Sequence, residues 1–443
     1  MKLFNHTMTG TKANFSASGA NSPRQGLVGV LDIGVSKITC FIAKMDADAR
    51  QHIQVVGVGH QASKGTSSSG IVDLDAVEGA IRFSIDQAER MAGHSIASVV
   101  VNIASSGMAA KRVQGIVNMN GREVTDRDVK RCIKTTLGGF CKPEHAVIHA
   151  FPQRYRVDEN ADVRDPRGMF AHQLALEMCV VSSPVGPIRN IALAVDRCRL
   201  ELRSVIATPY AAGLSALVED ERNLGATIID MGAGATSFAT FNEGVLEHLG
   251  VVPLGGNHVT NDIARGLATP RASAERIKTM FGTCLDGPDD DREMIDCPGM
   301  CDDPRLNTDQ APRALLTGII RPRVEEILEL VRDQLDQVKP ENPWGRRIVL
   351  VGGASQLEGI TNLASRVFGE RVRSGQPIGL SGLAEAVSGA GFAAPAGSLR
   401  HAFNCQREAI QEITQLVETE GGAKGLVNDN PVHKVWHWLR NNL

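Results

Sequence analysis

One pattern in this chain occurs twice, and it limits the possible folds more than any other feature. Leu27-Val28-Gly29-Val30-Leu31-Asp32-Ile33-Gly34 reads as an apolar strand ending in an aspartate and a glycine. Val35-Ser36-Lys37 and a second strand, Ile38-Thr39-Cys40-Phe41-Ile42-Ala43, follow it. Strand, tight turn, strand predicts a hairpin. The pattern returns in Ala226-Thr227-Ile228-Ile229-Asp230-Met231-Gly232-Ala233-Gly234-Ala235-Thr236, which runs into Ser237-Phe238-Ala239-Thr240-Phe241. The period is too long for a solenoid and predicts a duplicated protein of two related lobes. A chain of 443 residues is also too long for one compact core.

Each copy sets a carboxylate at a strand end and small residues in the next turn. Such a turn can bring backbone N–H groups against phosphate oxygens, because no side chain blocks the approach. The candidate phosphate-binding residues are Gly34, Ser36 and Lys37 in the first copy and Gly232, Gly234 and Thr236 in the second. Lys37 supplies a cation. Asp32 and Asp230 are too anionic to touch phosphate and make sense through the waters of Mg²⁺. Two opposed hairpins would clamp a polyphosphate between two lobes. Either hairpin alone is a tight turn with a solvated aspartate, and the repetition together with a third motif points to a site.

A third motif, Val351-Gly352-Gly353-Ala354-Ser355, follows the buried strand at 348–351. Its glycine pair would let a flat adenine ring lie on bare backbone, with Ser355 beside it. Glu275 and Lys278 are three apart, so they share a helix face and can reach a ribose together. Gly255 and Asn257 complete the candidate nucleotide set. A dinucleotide-binding reading fails, because Gly232-Ala233-Gly234 precedes a strand and lacks the third glycine. There is no Walker A loop.

The remaining elements are coarser. Helices are predicted at 75–92, 125–137, 185–199, 270–281 and about 318–338, with strands at 146–149 and 172–182. The mixed segment 112–182 reads as an inserted α+β subdomain. Residues 284–312 are dense in Asp, Pro and Gly and read as loops. The first 26 residues read as a flexible tail without a signal peptide, and no stretch is long and apolar enough to span a membrane. The net charge of −3 gives no bulk reason to bind nucleic acid. Nine scattered cysteines without a C-x-x-C pair read as reduced thiols of a cytoplasmic protein.

Two phosphate hairpins, a glycine pair and a Glu-x-x-Lys helix, in this order, resemble the superfamily of actin, DnaK-type chaperones and sugar kinases. Within it, His149-Ala150-Phe151-Pro152-Gln153-Arg154-Tyr155, Asp165-Pro166-Arg167-Gly168-Met169, Glu219-Asp220-Glu221-Arg222-Asn223-Leu224-Gly225 and Val259-Thr260-Asn261-Asp262-Ile263-Ala264 are similar to the FtsA family of bacterial division proteins. So is 348–368, and the likeness covers roughly residues 27–400.

The resemblance implies an α/β, two-lobed actin-like (ribonuclease H-like, duplicated) fold, in which an inserted subdomain replaces actin's subdomain 1B. It implies a tail at 1–26, subdomain 1A at 27–111 and 183–225, subdomain 1C at 112–182, subdomain 2A at 226–257 and 326–400 with a return to 1A, and subdomain 2B at 258–325. A terminal helix and linker at 401–430 and an anchor at 431–443 would follow. ATP and Mg²⁺ are the implied cofactors. The implied partners are the C-terminal peptide of the tubulin-like FtsZ on 2B, other copies of this chain, and later division proteins on 112–182. The implied location is the cytoplasmic side of the inner membrane at the division site. Arg292, Arg313, Arg321 and Arg323 are basic candidates for a partner's acidic groups.

The chain departs from the family's pattern at Val35, Ala233, Ala235 and Ser237, which leaves the phosphate cradle without one hydroxyl and the site without one potential metal-ordering carboxylate. Ile206-Ala207-Thr208-Pro209-Tyr210 offers no Glu or Gln where hydrolysing relatives orient a water. The expectation is at most a slow ATPase, with nucleotide as a structural ligand.

At the end of the chain, Val432, Val435, Trp436, Leu439 and Leu443 form one apolar stripe at helical spacing, with Trp438 at its edge and Lys434 and Arg440 on the polar side. Tryptophans, fixed positive charge and no acidic side chain suit an anionic bilayer surface. One short helix binds weakly, and many copies in a polymer bind by avidity. The competing readings are a small-molecule kinase or chaperone-type ATPase of the same superfold, and a pilus-assembly relative of FtsA. A kinase has no use for such a helix, a chaperone needs a large peptide-binding domain after the ATPase lobes, and a pilus-assembly relative is not expected to carry the helix.

Overall fold

The computed structural model describes residues 26–45, 53–140, 142, 144–299, 308–338 and 347–404. Two sheets of the same construction form its two lobes. In the first, Leu27–Ile33 pairs antiparallel with Lys37–Met45, which pairs antiparallel with Ile53–Ala62. On its other side Leu27–Ile33 runs parallel to Ser98–Ile103, which runs parallel to Glu201–Ala207. In the second, Ala226–Met231 pairs antiparallel with Thr236–Asn242, and that strand with Val245–Val252. Its other side runs parallel to Arg347–Val351, followed by Arg371–Ser374. The duplication read in the two hairpins therefore extends to five strands per lobe. The first lobe adds a short sixth strand, Leu380–Ser381.

Burial explains the apolar runs. Val30 and Leu31 point to opposite faces of their strand and are both fully buried, as expected for a sheet covered on two sides. Helix Leu74–Ala92 begins at Asp73, whose side chain accepts from the N–H of Ala76 at 3.1 Å. Its backbone lies so close to the sheet that a Cβ on Gly59 would collide with Ser84 O. Helices Thr208–Ala216 and Ala393–Asn404 meet backbone to backbone. A Cβ on Gly397 would overlap Ala211 O, and Ser215 Oγ donates to Ala393 O at 2.6 Å.

The insertion is a four-stranded sheet in the order Ala109–Glu123, Phe170–Pro184, His145–Val157 and Asn160–Val163, backed by helix Asp126–Gly138. The helix carries a capping box at Thr125. Asp128 Oδ2 accepts from the Thr125 N–H at 3.1 Å and is gripped by Arg122 at 2.7 Å. The insertion has its own core, built on Met119, Ile133, Leu174 and Met178. Its strands are longer than the short predicted segments.

The loop expectation for 284–312 is overturned in part. Met294–Pro298 and Thr308–Pro312 form a two-stranded antiparallel ribbon. Ile295 and Cys297, each 2% exposed, and Ala311 turn inward to the second lobe's core, which fixes a strand alternation despite the Asp- and Pro-rich composition. The long helix starts at Arg313, directly after Pro312, and not near residue 318.

Candidate functional site

The two turns are built alike. The N–H of Gly34 donates to Lys37 O and that of Gly232 to Ala235 O, each at 3.0 Å. A Cβ on either glycine would sit 2.8 Å from that carbonyl. Asp32 lies opposite Thr39 and Asp230 opposite Ser237, the same register in each lobe. The turns also meet, since Val35 Cγ2 lies 2.5 Å from where a Cβ on Gly234 would be. Only a residue without a side chain fits at 234. Ser36 is exposed at the tip of its turn.

Three charges converge behind these turns. Burial raises the Asp32 carboxyl above the ordinary range, opposed by the Lys37 charge and a hydrogen bond from Asn102 Nδ2 at 3.0 Å. Burial also pushes Asp230 up, to about 7, helped by repulsion from Asp32 and opposed by Lys37. The Lys37 ammonium is lowered by burial and held up by both carboxylates. Its Nζ sits 3.2 Å from the ring centroid of Phe392.

The third motif joins the same place. Gly352 has φ +90°, and a Cβ there would strike the Asp230 carboxylate and Met231 O. Its N–H donates to Ala390 O at 3.0 Å. Nothing lies within 4 Å of a Cβ built on Gly353, so this stretch of backbone faces open space. Ser355 donates its hydroxyl to Gly352 O at 2.8 Å and braces the turn. A Cβ on Gly391 would lie 3.3 Å from Lys37 Nζ and 3.7 Å from Gly353 Cα, which ties hairpin and glycine pair together.

Gly255 and Asn257 open helix Gly256–Gly266 against the second hairpin. The N–H groups of Gly256 and Asn257 donate to Gly232 O at 2.9 Å and Ala233 O at 2.8 Å. A Cβ on Gly255 would lie 2.5 Å from Gly232 O. Thr236 donates to Leu254 O at 2.9 Å, so its hydroxyl serves this junction. Lys278 Nζ, on helix Arg271–Phe281, donates to Glu275 Oε2 at 2.7 Å, Thr260 Oγ1 at 2.8 Å and Gly256 O at 3.2 Å. The two side chains share a helix face as their spacing predicts. A Cβ on Gly256 would stand 3.7 Å from Lys278 Nζ and 3.2 Å from Ala354 Cβ, which brings the Glu-x-x-Lys helix beside the glycine pair. Burial raises Glu275, and the bonds from Lys278 and Thr260 outweigh it to leave the carboxyl below its ordinary value.

Sequence reading missed Asn102, Thr260 and Phe392. Asn102 had a signal, being one amide in the apolar run Ser98-Val99-Val100-Val101-Asn102-Ile103. It reaches Asp32, and its Nδ2 lies 3.4 Å from Thr208 Oγ1. Thr260 and Phe392 carry no local signal, because their partners are remote in sequence.

The arrangement fits a magnesium nucleotide on three grounds. Bare turns admit phosphates, a half-buried ammonium meets their charge, and Gly353 leaves room beside the backbone for a ring. No group of three or more His, Cys, Asp or Glu side chains among the described residues could hold a metal ion unaided. Asp32 and Asp230 would therefore hold Mg²⁺ only in company with phosphate oxygens and water.

The basic candidates lie elsewhere, and three of them engage carboxylates of their own chain. Arg313 bonds Glu293 at 2.9 Å and Glu358 at 3.2 Å, and Arg321 bonds Asp286 at 2.6 Å. Arg323 bonds Asp262 at 2.5 Å and Glu326. Arg292 follows the turn at Asp289, to whose carbonyl its N–H donates at 2.9 Å. The stripe Val432, Lys434, Val435, Trp436, Trp438, Leu439, Arg440 and Leu443 lies outside the described residues. No helix among the described residues is long and apolar enough to cross a membrane.

Comparison with known proteins decides the family. A model described as cell division protein FtsA matches residues 227–397, and one for the SHS2 domain inserted in FtsA matches 106–182. The chain is 40% identical over 409 residues to cell division protein FtsA of Rhizobium meliloti, covering 90% of this chain and 92% of the relative. It belongs to the FtsA family. The FtsA of Escherichia coli is 30% identical over 404 residues, covering 90% of this chain and 95% of its own. This makes the chain a cell division protein with an actin-like fold. Among solved structures, a PilM–PilN type IV pilus biogenesis complex matches with TM-score 0.59 at 16% identity, over 85% of this chain and 98% of that one. MreB5 of Spiroplasma citri bound to AMPPNP matches with TM-score 0.50 at 12% identity, over 90% of this chain and all of that one. At such identities what these structures show is the fold, whereas the FtsA relatives share both sequence and length with this chain.

Proposed function

We propose that this FtsA-family chain is an ATP-binding, self-assembling adaptor. It polymerises on the cytoplasmic face of the inner membrane at the division site and holds the FtsZ ring there. The observation that carries the nucleotide part is the convergence of Asp32, Asp230 and Lys37 between two alike glycine turns, with Gly353 open beside them. The structural likeness to an MreB bound to AMPPNP supports it. In this reading Gly34, Ser36, Lys37, Gly232 and Gly234 face the phosphates, Asp32 and Asp230 order Mg²⁺ through water, and Glu275 and Lys278 face the ribose. Gly255, Asn257 and Thr236 hold the second turn in place.

The nucleotide acts as a structural ligand. Thr208 occupies the entry of helix Thr208–Ala216 beside Asn102 and Asp32, and its hydroxyl is no general base at neutral pH. Subdomain 2B, with its Met294–Pro298 and Thr308–Pro312 ribbon, takes the C-terminal peptide of FtsZ. Residues 112–182 face other copies and later division proteins. The stripe from Val432 to Leu443 meets anionic lipid.

Titrating the purified chain with fluorescent ATP and ADP, alongside a phosphate-release assay, tests the nucleotide role. Tight, Mg²⁺-dependent binding with turnover of at most a few per hour is expected, on the order of the slowest uncoupled nucleotidases. Robust turnover with a small-molecule acceptor would favour a kinase and overturn the adaptor reading.

A further inference from the structure

Lys37 is a half-buried cation with an unusual set of neighbours. An ammonium has three donors and no acceptor. Among the described residues no carbonyl or carboxylate takes a hydrogen bond from Nζ, although Asp32 and Asp230 act on it through their charge. Its close companion is the face of Phe392, 3.2 Å from Nζ to the ring centroid. A lysine so placed keeps its donors free while the ring quadrupole compensates part of its lost hydration.

The ring is fixed from the other directions. Phe392 stacks on Phe41, with centroids 6.1 Å apart and planes 15° from parallel. Phe41 is fully buried in the strand that Lys37 begins. The turn Ala390–Phe392 is tied to the glycine pair by the bond from Gly352 N–H to Ala390 O, and Phe392 N–H donates to Gly389 O at 3.0 Å. Gly391 leaves the gap through which the ammonium reaches the ring, since a Cβ there would crowd Nζ at 3.3 Å. Helix Ala393–Asn404 starts at the next residue.

We infer that Phe392 is a positioning residue: its ring face holds the Lys37 ammonium at the junction of the two hairpins and the glycine pair, donors free, for the phosphates of a bound nucleotide. The inference rests on the nucleotide reading above and adds a residue to it. In leucine the volume is similar and the quadrupole is gone. In tyrosine both remain.

The test is a double-mutant cycle on ATP affinity in the full chain, using Phe392→Leu, Phe392→Tyr, Lys37→Met and Lys37→Met/Phe392→Leu. Phe392→Leu is expected to weaken ATP about tenfold, within the range of a partly desolvated cation–π contact. Phe392→Tyr should stay within about threefold of the parent. Beside Lys37→Met, Phe392→Leu should have little further effect. A second readout needs no nucleotide. The Lys37 εCH₂ proton resonances should carry an upfield ring-current shift that Phe392→Leu abolishes and Phe392→Tyr keeps. Equal losses for Leu and Tyr, or a Leu loss undiminished beside Lys37→Met, would overturn the role of Phe392 alone. A parent chain that binds no ATP would overturn the nucleotide reading and this inference together, even if the ring-current shift were present.

Discussion

Gly352 lies against the carboxylate of Asp230. A Cβ on Gly352 would collide with Asp230 Oδ1 and Met231 O, and its φ of +90° is one that other residues rarely adopt. The glycine pair and the second hairpin thus share one contact. Gly352→Ala should cost about 2 kcal/mol or more of stability from backbone strain and crowding. It should also displace Asp230 and weaken Mg-ATP binding. Gly353→Ala, with open space around its Cβ and no positive φ, should leave stability within about 0.5 kcal/mol. Thermal unfolding of the two variants, with and without Mg-ATP, separates these effects.

Asp230 gives the ligand-free chain a predictable pH dependence. Its folded carboxyl is raised from 3.8 to about 7, and Asp32 is raised as well. Ionisation is therefore harder in the folded state than in the unfolded one. The stability tied to these groups is fully present below about pH 4 and is lost as pH rises through about 7. Asp230→Asn should stabilise the ligand-free chain at pH 8 by about 1–2 kcal/mol, allowing for the relief that Lys37 already gives. The gain should shrink at pH 5. The same substitution should weaken Mg-ATP binding, because the amide lacks the charge that holds the ion's waters. Melting curves at the two pH values, with and without Mg-ATP, check both halves.

His149 links the insertion to the start of helix Thr208–Ala216. It is 1% exposed, and its Nε2 accepts from the N–H of Ala207, the residue before Thr208, at 2.9 Å. Its ring also lies 5.0 Å from Tyr210 and 5.7 Å from His401, centroid to centroid. His149→Phe keeps the aromatic packing and leaves a buried N–H unpaired. That should cost about 1–3 kcal/mol. A lower midpoint at unchanged m-value in chemical denaturation would show the loss as one of folded-state stability.

How much was legible in the sequence varied with the range of the interactions involved. The hairpins were readable because Asp32 and Asp230 each end an apolar run in the same register. The Glu275–Lys278 pair was readable because helical spacing alone brings the two side chains together. The ribbon at Met294–Pro298 was hidden, because two inward residues, Ile295 and Cys297, are a weak alternation among prolines and aspartates. The long helix begins five residues before the expected start near 318. In the fold Gly318 lies within the helix, and Pro312 supplies the start. Lys37 and Phe392 meet only because a turn far along the chain returns to the first sheet, and no local pattern encodes that. The fixed pairing of Arg313, Arg321 and Arg323 within their own lobe was likewise beyond a reading of charge alone.

Co-sedimentation with anionic liposomes tests nucleotide binding, assembly and membrane attachment together. The full chain is compared with a version ending at Asn430, each with and without Mg-ATP. The full chain should pellet with lipid, and more of it should pellet with Mg-ATP, because a polymer sums many weak anchors. The truncated chain should stay in the supernatant under both conditions. If both versions remain soluble with Mg-ATP, or the truncated chain pellets equally well, the terminal stripe is not the anchor and the adaptor reading is contradicted.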